Sequence, residues 1–163
     1  MVVMIVGCAT PMQNYALQSE SQPYAEVRSN INGAYGRNEL IQLFVMGEGG
    51  CGMFNFDHIT NQKRLFAIKK SNSEPQGYLR VAVDKPLRLR YYEETSGGGA
   101  CEIMLEAKFE SGQKYSIIGG FEYKDGVIPI LTGTRSCSFA VMNESDGQPV
   151  NVKRLRKSTL CDK

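Results

Sequence analysis

The sequence predicts an all-β domain, an antiparallel β-sandwich with a closed barrel as the alternative, held by disulfides. Three observations carry that expectation. Short runs with strand-like composition recur along the chain: VRSNI, ELIQLFVM, RLFAIKK, GYLRVAV, PLRLRYYEE, CEIMLEAKFE, QKYSIIGGFEYK, VIPIL, SCSFAVMN and VNVKRL. Between them stand turn-forming clusters such as Gly47 to Gly52, Asp84-Lys85-Pro86, Ser96 to Gly99, Ser111-Gly112 and Asp146-Gly147. Four cysteines, Cys51, Cys101, Cys137 and Cys161, are spread widely enough to cross-link different strands.

The folded domain is expected to span residues 24–163, starting near Tyr24. The clearest periodicity runs from Leu79 to Phe109. Leu79, Val81, Val83, Leu87, Leu89, Tyr91, Cys101, Ile103, Leu105, Ala107 and Phe109 alternate with mostly polar neighbours, as expected of a sheet with one face toward water. Matching apolar faces across an antiparallel hairpin places Tyr91 opposite Cys101, Leu89 opposite Ile103 and Leu87 opposite Leu105, with Arg90 facing Glu102. A second hairpin, turning at Ser111-Gly112, is expected to match Phe109 with Tyr115, Ala107 with Ile117 and Ile103 with Phe121. Cys137 keeps step with Phe139 and Val141, which predicts that it faces the core as Cys101 does. Four cysteines allow three pairings, and this shared facing makes Cys101–Cys137 the first choice, leaving Cys51 with Cys161.

Composition narrows the chemistry. A chain of 163 residues with 42% hydrophobic and 22% charged residues fits one domain with a core. A formal net charge of +2 makes neither a polyanion such as nucleic acid nor a membrane surface an expected electrostatic partner, and Lys153, Arg154, Arg156 and Lys157 read as a solvated strand edge. The dispersed cysteines and one histidine lack zinc-site spacing, so no metal or cofactor is expected. Any Ser-His or Cys-His catalyst must use His58, and Cys51 seven residues upstream is its nearest thiol, but no nucleophile motif accompanies them. Glu102, Glu106 and Glu110 fall on one strand face and read as solvated charge rather than an acid–base pair. GEGGCG lacks the lysine and the following helix of a phosphate loop.

The N-terminus carries the strongest address. The run Met1 to Val6 leads into Ile5-Val6-Gly7-Cys8, which resembles the lipobox of bacterial lipoprotein signal peptides. The resemblance implies a signal-like segment over 1–7, a lipid on Cys8, and a lipidated, flexible tether over 8–23 whose ATPMQNYALQSESQP sequence is polar and aperiodic. Ala9 stands where an aspartate retains many such lipoproteins in the inner membrane, implying an outer-membrane, periplasm-facing location. An oxidising envelope makes disulfides the default state of the remaining cysteines. The expected partners are the membrane, through that lipid, and an envelope protein or glycan, with a non-enzymatic structural or interaction role. The alternative comes from Ser111-Gly112-Gln113-Lys114-Tyr115, which resembles the S-G-x-x-Y motif of lipoprotein inhibitors of C-type lysozymes. That resemblance implies Ser111 and Lys124 as contacts to the catalytic carboxylates of such a hydrolase.

Overall fold

A computed structural model describes residues 12–31, 40–47, 61–69, 77–94, 100–124 and 134–156. Among the described residues, nine strands run in chain order as β1 (Tyr24–Ile31), β2 (Leu40–Met46), β3 (Gln62–Lys69), β4 (Leu79–Ala82), β5 (Leu87–Glu94), β6 (Ala100–Ala107), β7 (Lys114–Lys124), β8 (Thr134–Asn143) and β9 (Val152–Leu155). The fold is all-β. A four-stranded sheet in the order β4-β1-β7-β8 packs on a five-stranded sheet in the order β3-β2-β5-β6-β9, giving an unclosed sandwich. The expected VIPIL strand lies outside the described residues.

Alternation builds the core. Ala25, Val27 and Ile31 of β1, Leu87, Leu89 and Tyr91 of β5, and Cys101, Ile103, Leu105 and Ala107 of β6 all turn inward and are buried. In β3 the pairing with β2 shifts between Leu43 and Phe44, leaving Leu65 as an extra residue. Such a bulge resets the face on which side chains emerge, and consecutive Leu65 and Phe66 are both buried. Leu79 departs from the expected inward set: it ends the pairing of edge strand β4 and is 39% exposed. The outer face of the larger sheet is drier than expected. Arg90 lies 5.5 Å from the Phe44 ring centroid and 5.0 Å from that of Tyr92, and Phe44 is itself buried.

The β5–β6 hairpin forms, but two residues out of the expected register. Leu87 pairs with Ala107, Leu89 with Leu105, Tyr91 with Ile103 and Glu93 with Cys101. A slide of two leaves every side chain on its own face, so the hydrophobic pattern could not choose between the registers. The observed one sets Arg88 directly against Glu106 (3.3 Å) and keeps Arg90 Nε 2.6 Å from Glu102 Oε1 as a diagonal neighbour. It also buries Glu93, whose carboxylate accepts a hydrogen bond from the Tyr91 hydroxyl.

The second expected hairpin does not form. β6 is flanked by β5 and β9, and β7 by β1 and β8, so residues 108–113 carry the chain from one sheet to the other. Phe109 and Tyr115 still meet, edge to face at 4.9 Å, and the Tyr115 hydroxyl accepts the Glu110 N–H at 3.0 Å. Gly112, at φ +76°, donates its N–H to the Tyr24 carbonyl and admits β7 beside β1. The β1–β7 pair is parallel, whereas the other pairs among the nine described strands are antiparallel.

The segment expected to be a flexible tether is bound to the sandwich from Gln13. Arg64 N–H donates to the Gln13 carbonyl and Tyr15 N–H to the Arg64 carbonyl, both at 2.8 Å, while the Arg64 guanidinium reaches Asn14 Oδ1. These bonds satisfy main-chain groups on the outer edge of β3, which supplies the reason for the order. The Tyr15 hydroxyl then accepts the Ala82 N–H of β4 at 3.1 Å, spanning the gap between the two sheets.

Candidate functional site

The cysteine pair expected from strand facing is formed. Cys101 of β6 and Cys137 of β8 are disulfide-bonded with their Cα atoms 5.9 Å apart, joining the two sheets. Its environment is asymmetric. Cys101 is buried as expected, whereas Cys137 is exposed, because β8 is the last described strand of its sheet. Beside the bridge, Phe139 stacks on Tyr91 across the sheets at 5.7 Å. This close fit rests on Gly119, where an added Cβ would lie 2.2 Å from the Ser138 carbonyl oxygen.

Cys8, Cys51, His58 and Cys161 lie outside the described residues. Ser111 and Lys124 are both exposed but are not brought together. Ser111 is in the turn before β7 and Lys124 is the last residue of that strand, a separation of roughly 30 Å at the rise of an extended chain. Glu102 and Glu106 are tied to Arg90 and Arg88, so the expected charged face is a set of cross-strand ion pairs.

Two features were not anticipated from the sequence. A cleft of about 490 Å³ opens at one end of the sandwich. Its apolar floor includes Val45, Met46 and Leu87, its rim carries Lys63, Asp84 and Glu106, and the segment from Tyr15 to Gln22 borders it. Gln22 Nε2 donates to Asp84 Oδ1 at 3.2 Å and ties that segment down. A lone tyrosine in the otherwise polar 9–23 stretch was the available sequence signal. The apolar floor and mixed-charge rim suit contact with an amphipathic group, and they assemble no nucleophile and base among the described residues.

The second feature is a polar cluster on the four-stranded sheet. Arg28 Nε and the Tyr78 hydroxyl both donate to the Glu144 carboxylate, each at 2.6 Å. Arg28 and Lys114 approach the Tyr78 ring at 5.4 and 4.8 Å, and Lys114 Nζ is 3.5 Å from Glu26. The hydrogen bond to Glu144 raises the Tyr78 pKa above its ordinary value, with smaller contributions from desolvation and the Glu144 charge. No sequence spacing links these residues, because they come from four separate segments.

Among the described residues, no group of three or more His, Cys, Asp or Glu side chains is placed to hold a metal ion. Nor is any helix among them long and apolar enough to cross a membrane. No protein-family model, curated protein or solved structure matches this chain.

Proposed function

We propose that the protein is a lipid-anchored lipoprotein of the bacterial cell envelope whose β-sandwich is a non-enzymatic interaction module. The observation that carries this reading is the Cys101–Cys137 bridge between the sheets, since stable disulfides belong mainly to oxidising compartments outside the cytosol. The Ile5-Val6-Gly7-Cys8 sequence supplies the anchor. Binding of Gln13 to the sandwich adds a geometric consequence. The five steps from Cys8 to Gln13 reach at most about 18 Å when fully extended, so a lipid on Cys8 holds the domain close to the membrane surface. The commitment of Arg88, Arg90, Glu102 and Glu106 to cross-strand pairs supports a structural rather than catalytic use of those groups. The lysozyme-inhibitor reading gains no support from the placement of Ser111 and Lys124 at opposite ends of β7.

Non-reducing peptide mapping by mass spectrometry, on protein taken from its native membrane, tests the proposal. The expected result is a diacylglyceryl-modified Cys8 peptide together with a linked Cys101–Cys137 peptide. An unmodified Cys8 in a soluble fraction, with Cys101 and Cys137 reduced, would overturn both the address and the compartment.

A further inference from the structure

Among the described residues, four strands border the two sheets, and three of them carry a feature that hinders another strand from joining. The outer edge of β3 is covered by Gln13 to Tyr15. β4 has four residues, and its Ala82 N–H is taken by the Tyr15 hydroxyl. β9 is equally short, with Lys153 and Arg154 within it and Arg156 just after it. Short edges, covers and positive charge are the usual protections against edge-to-edge pairing.

Among the described residues, β8 is covered only at its end. Val150 N–H donates to the Val141 carbonyl at 2.8 Å and Asn143 N–H to the Gln148 carbonyl at 2.9 Å, with Pro149 opposite Met142 at a position that requires no N–H. These bonds also establish which way the strand points. Val141 and Asn143 direct their main-chain groups away from β7, and alternate residues of a strand share a direction, so Phe139, Cys137 and Arg135 do the same. Upstream of Val141, the outward groups of Cys137 and Phe139 have no partner among the described residues, and Ser136, Cys137 and Ser138 are exposed.

We propose that residues 135–139 of β8 form an interaction edge for a second copy of this chain, pairing antiparallel across a twofold axis to join two four-stranded sheets. This deepens the interaction-module reading and rests on it. The register centred on Cys137 sets Ser136 against Ser138 and Arg135 against Phe139, bringing outward-directed groups together without opposing like charges. Its neighbours are disfavoured. Centring on Phe139 sets Cys137 against Val141, whose carbonyl already receives Val150 N–H, and centring on Arg135 opposes two arginines. The contact is short, below the roughly 1,200 Å² of standard stable interfaces, and a common membrane would raise the effective concentration of the two edges.

The test uses detergent-solubilised, full-length protein in sedimentation velocity from micromolar to about millimolar concentration, with amide hydrogen exchange and the Cys8 mass read on the same sample. The expected result is a concentration-dependent dimer in which the Cys137 and Phe139 amides exchange at least about tenfold more slowly than in the monomer. Ser136→Lys/Ser138→Lys, which opposes lysines twice in this register, should abolish the dimer without changing the melting temperature. A monomer throughout the range, or a dimer indifferent to the paired lysines, would overturn the proposal. So would protection of those amides only on adding envelope extract, which would identify a foreign strand as the occupant. Failure is assignable: an acylated monomer removes the edge proposal alone, whereas an unacylated protein that still pairs through β8 removes only the membrane reading.

Discussion

Along the flank formed by β6, β8 and β9, the two sheets are joined by the Cys101–Cys137 bridge and by the chain itself, which covers the end of β8 at residues 148–150 before entering β9 beside β6. Along the flank formed by β3 and β4, the junction is Tyr15, which uses its main chain on one sheet and its hydroxyl on the other. The first closure restricts the unfolded chain as well as the folded one. The second exists only while a few hydrogen bonds hold. Sandwiches of this kind can therefore share one core yet differ greatly in the ease with which their two sides open.

The largest effect is expected at the tightly fitted flank. Gly119→Ala would drive a Cβ into the Ser138 carbonyl at φ +132°, costing more than about 4 kcal/mol. Urea denaturation should find little folded protein. Replacing Cys101 and Cys137 together by alanine removes a cross-link spanning 36 residues, and the chain-entropy relation gives a loss of about 4 kcal/mol. The same denaturation experiment with and without reductant on the unaltered protein should reproduce that loss. If reductant leaves stability unchanged, the covalent flank is no stronger than the other.

Tyr15→Phe keeps the ring and removes the acceptor for Ala82 N–H, with an expected cost of about 1 kcal/mol. Its sharper readout is hydrogen exchange. The Ala82 amide should become labile while the Val150 amide on the opposite flank remains protected, and equal loosening of both would dissolve the distinction between the flanks. The smallest effect is expected from alkaline pH, which acts on the crossing between the sheets. Burial raises the Tyr115 pKa above its ordinary 10.0. A raised folded-state value contributes stability that is present below the unfolded-state pKa and lost as pH rises through the folded-state value. Ultraviolet titration should show a late phenol, absent in Tyr115→Phe, and the melting temperature should fall as pH rises from the ordinary value of 10.0 to the pH of that late titration.

Alternation is informative where a side chain's facing decides the outcome. Inward Leu89, Tyr91, Ile103 and Leu105 follow from alternation, and the shared facing of Cys101 and Cys137 was sufficient to choose the bridge. It was weaker where the partner had to be known. The β5–β6 register slid by two because both registers bury the same faces, and the favourable Arg88–Glu106 opposition became visible only in the pairing. A turn at Ser111-Gly112 has the same inward pattern whether β7 returns beside β6 or crosses to the other sheet. Alternation predicts the Cys137 bridge but not the exposure of Cys137, since it does not reveal which strand lies at an edge. Tyr15 was hidden in a polar segment because its binding is mostly main-chain, and any sequence could supply those groups. The unexpected cleft and the Arg28–Tyr78–Glu144 cluster depend on segments distant in sequence.

The parallel pairing of β1 with β7 also sets an order of events during synthesis. Glu26 finds its neighbour Lys114 only after most of the chain has been made, and β4, the other neighbour of β1, joins by just four residues. The first strand must therefore wait, incompletely paired and with Ala25, Val27 and Ile31 available to wrong partners, until the crossing between the sheets has been built. Such long-range pairing makes for slow folding, and the waiting strand is the segment a holding chaperone would be most useful in shielding.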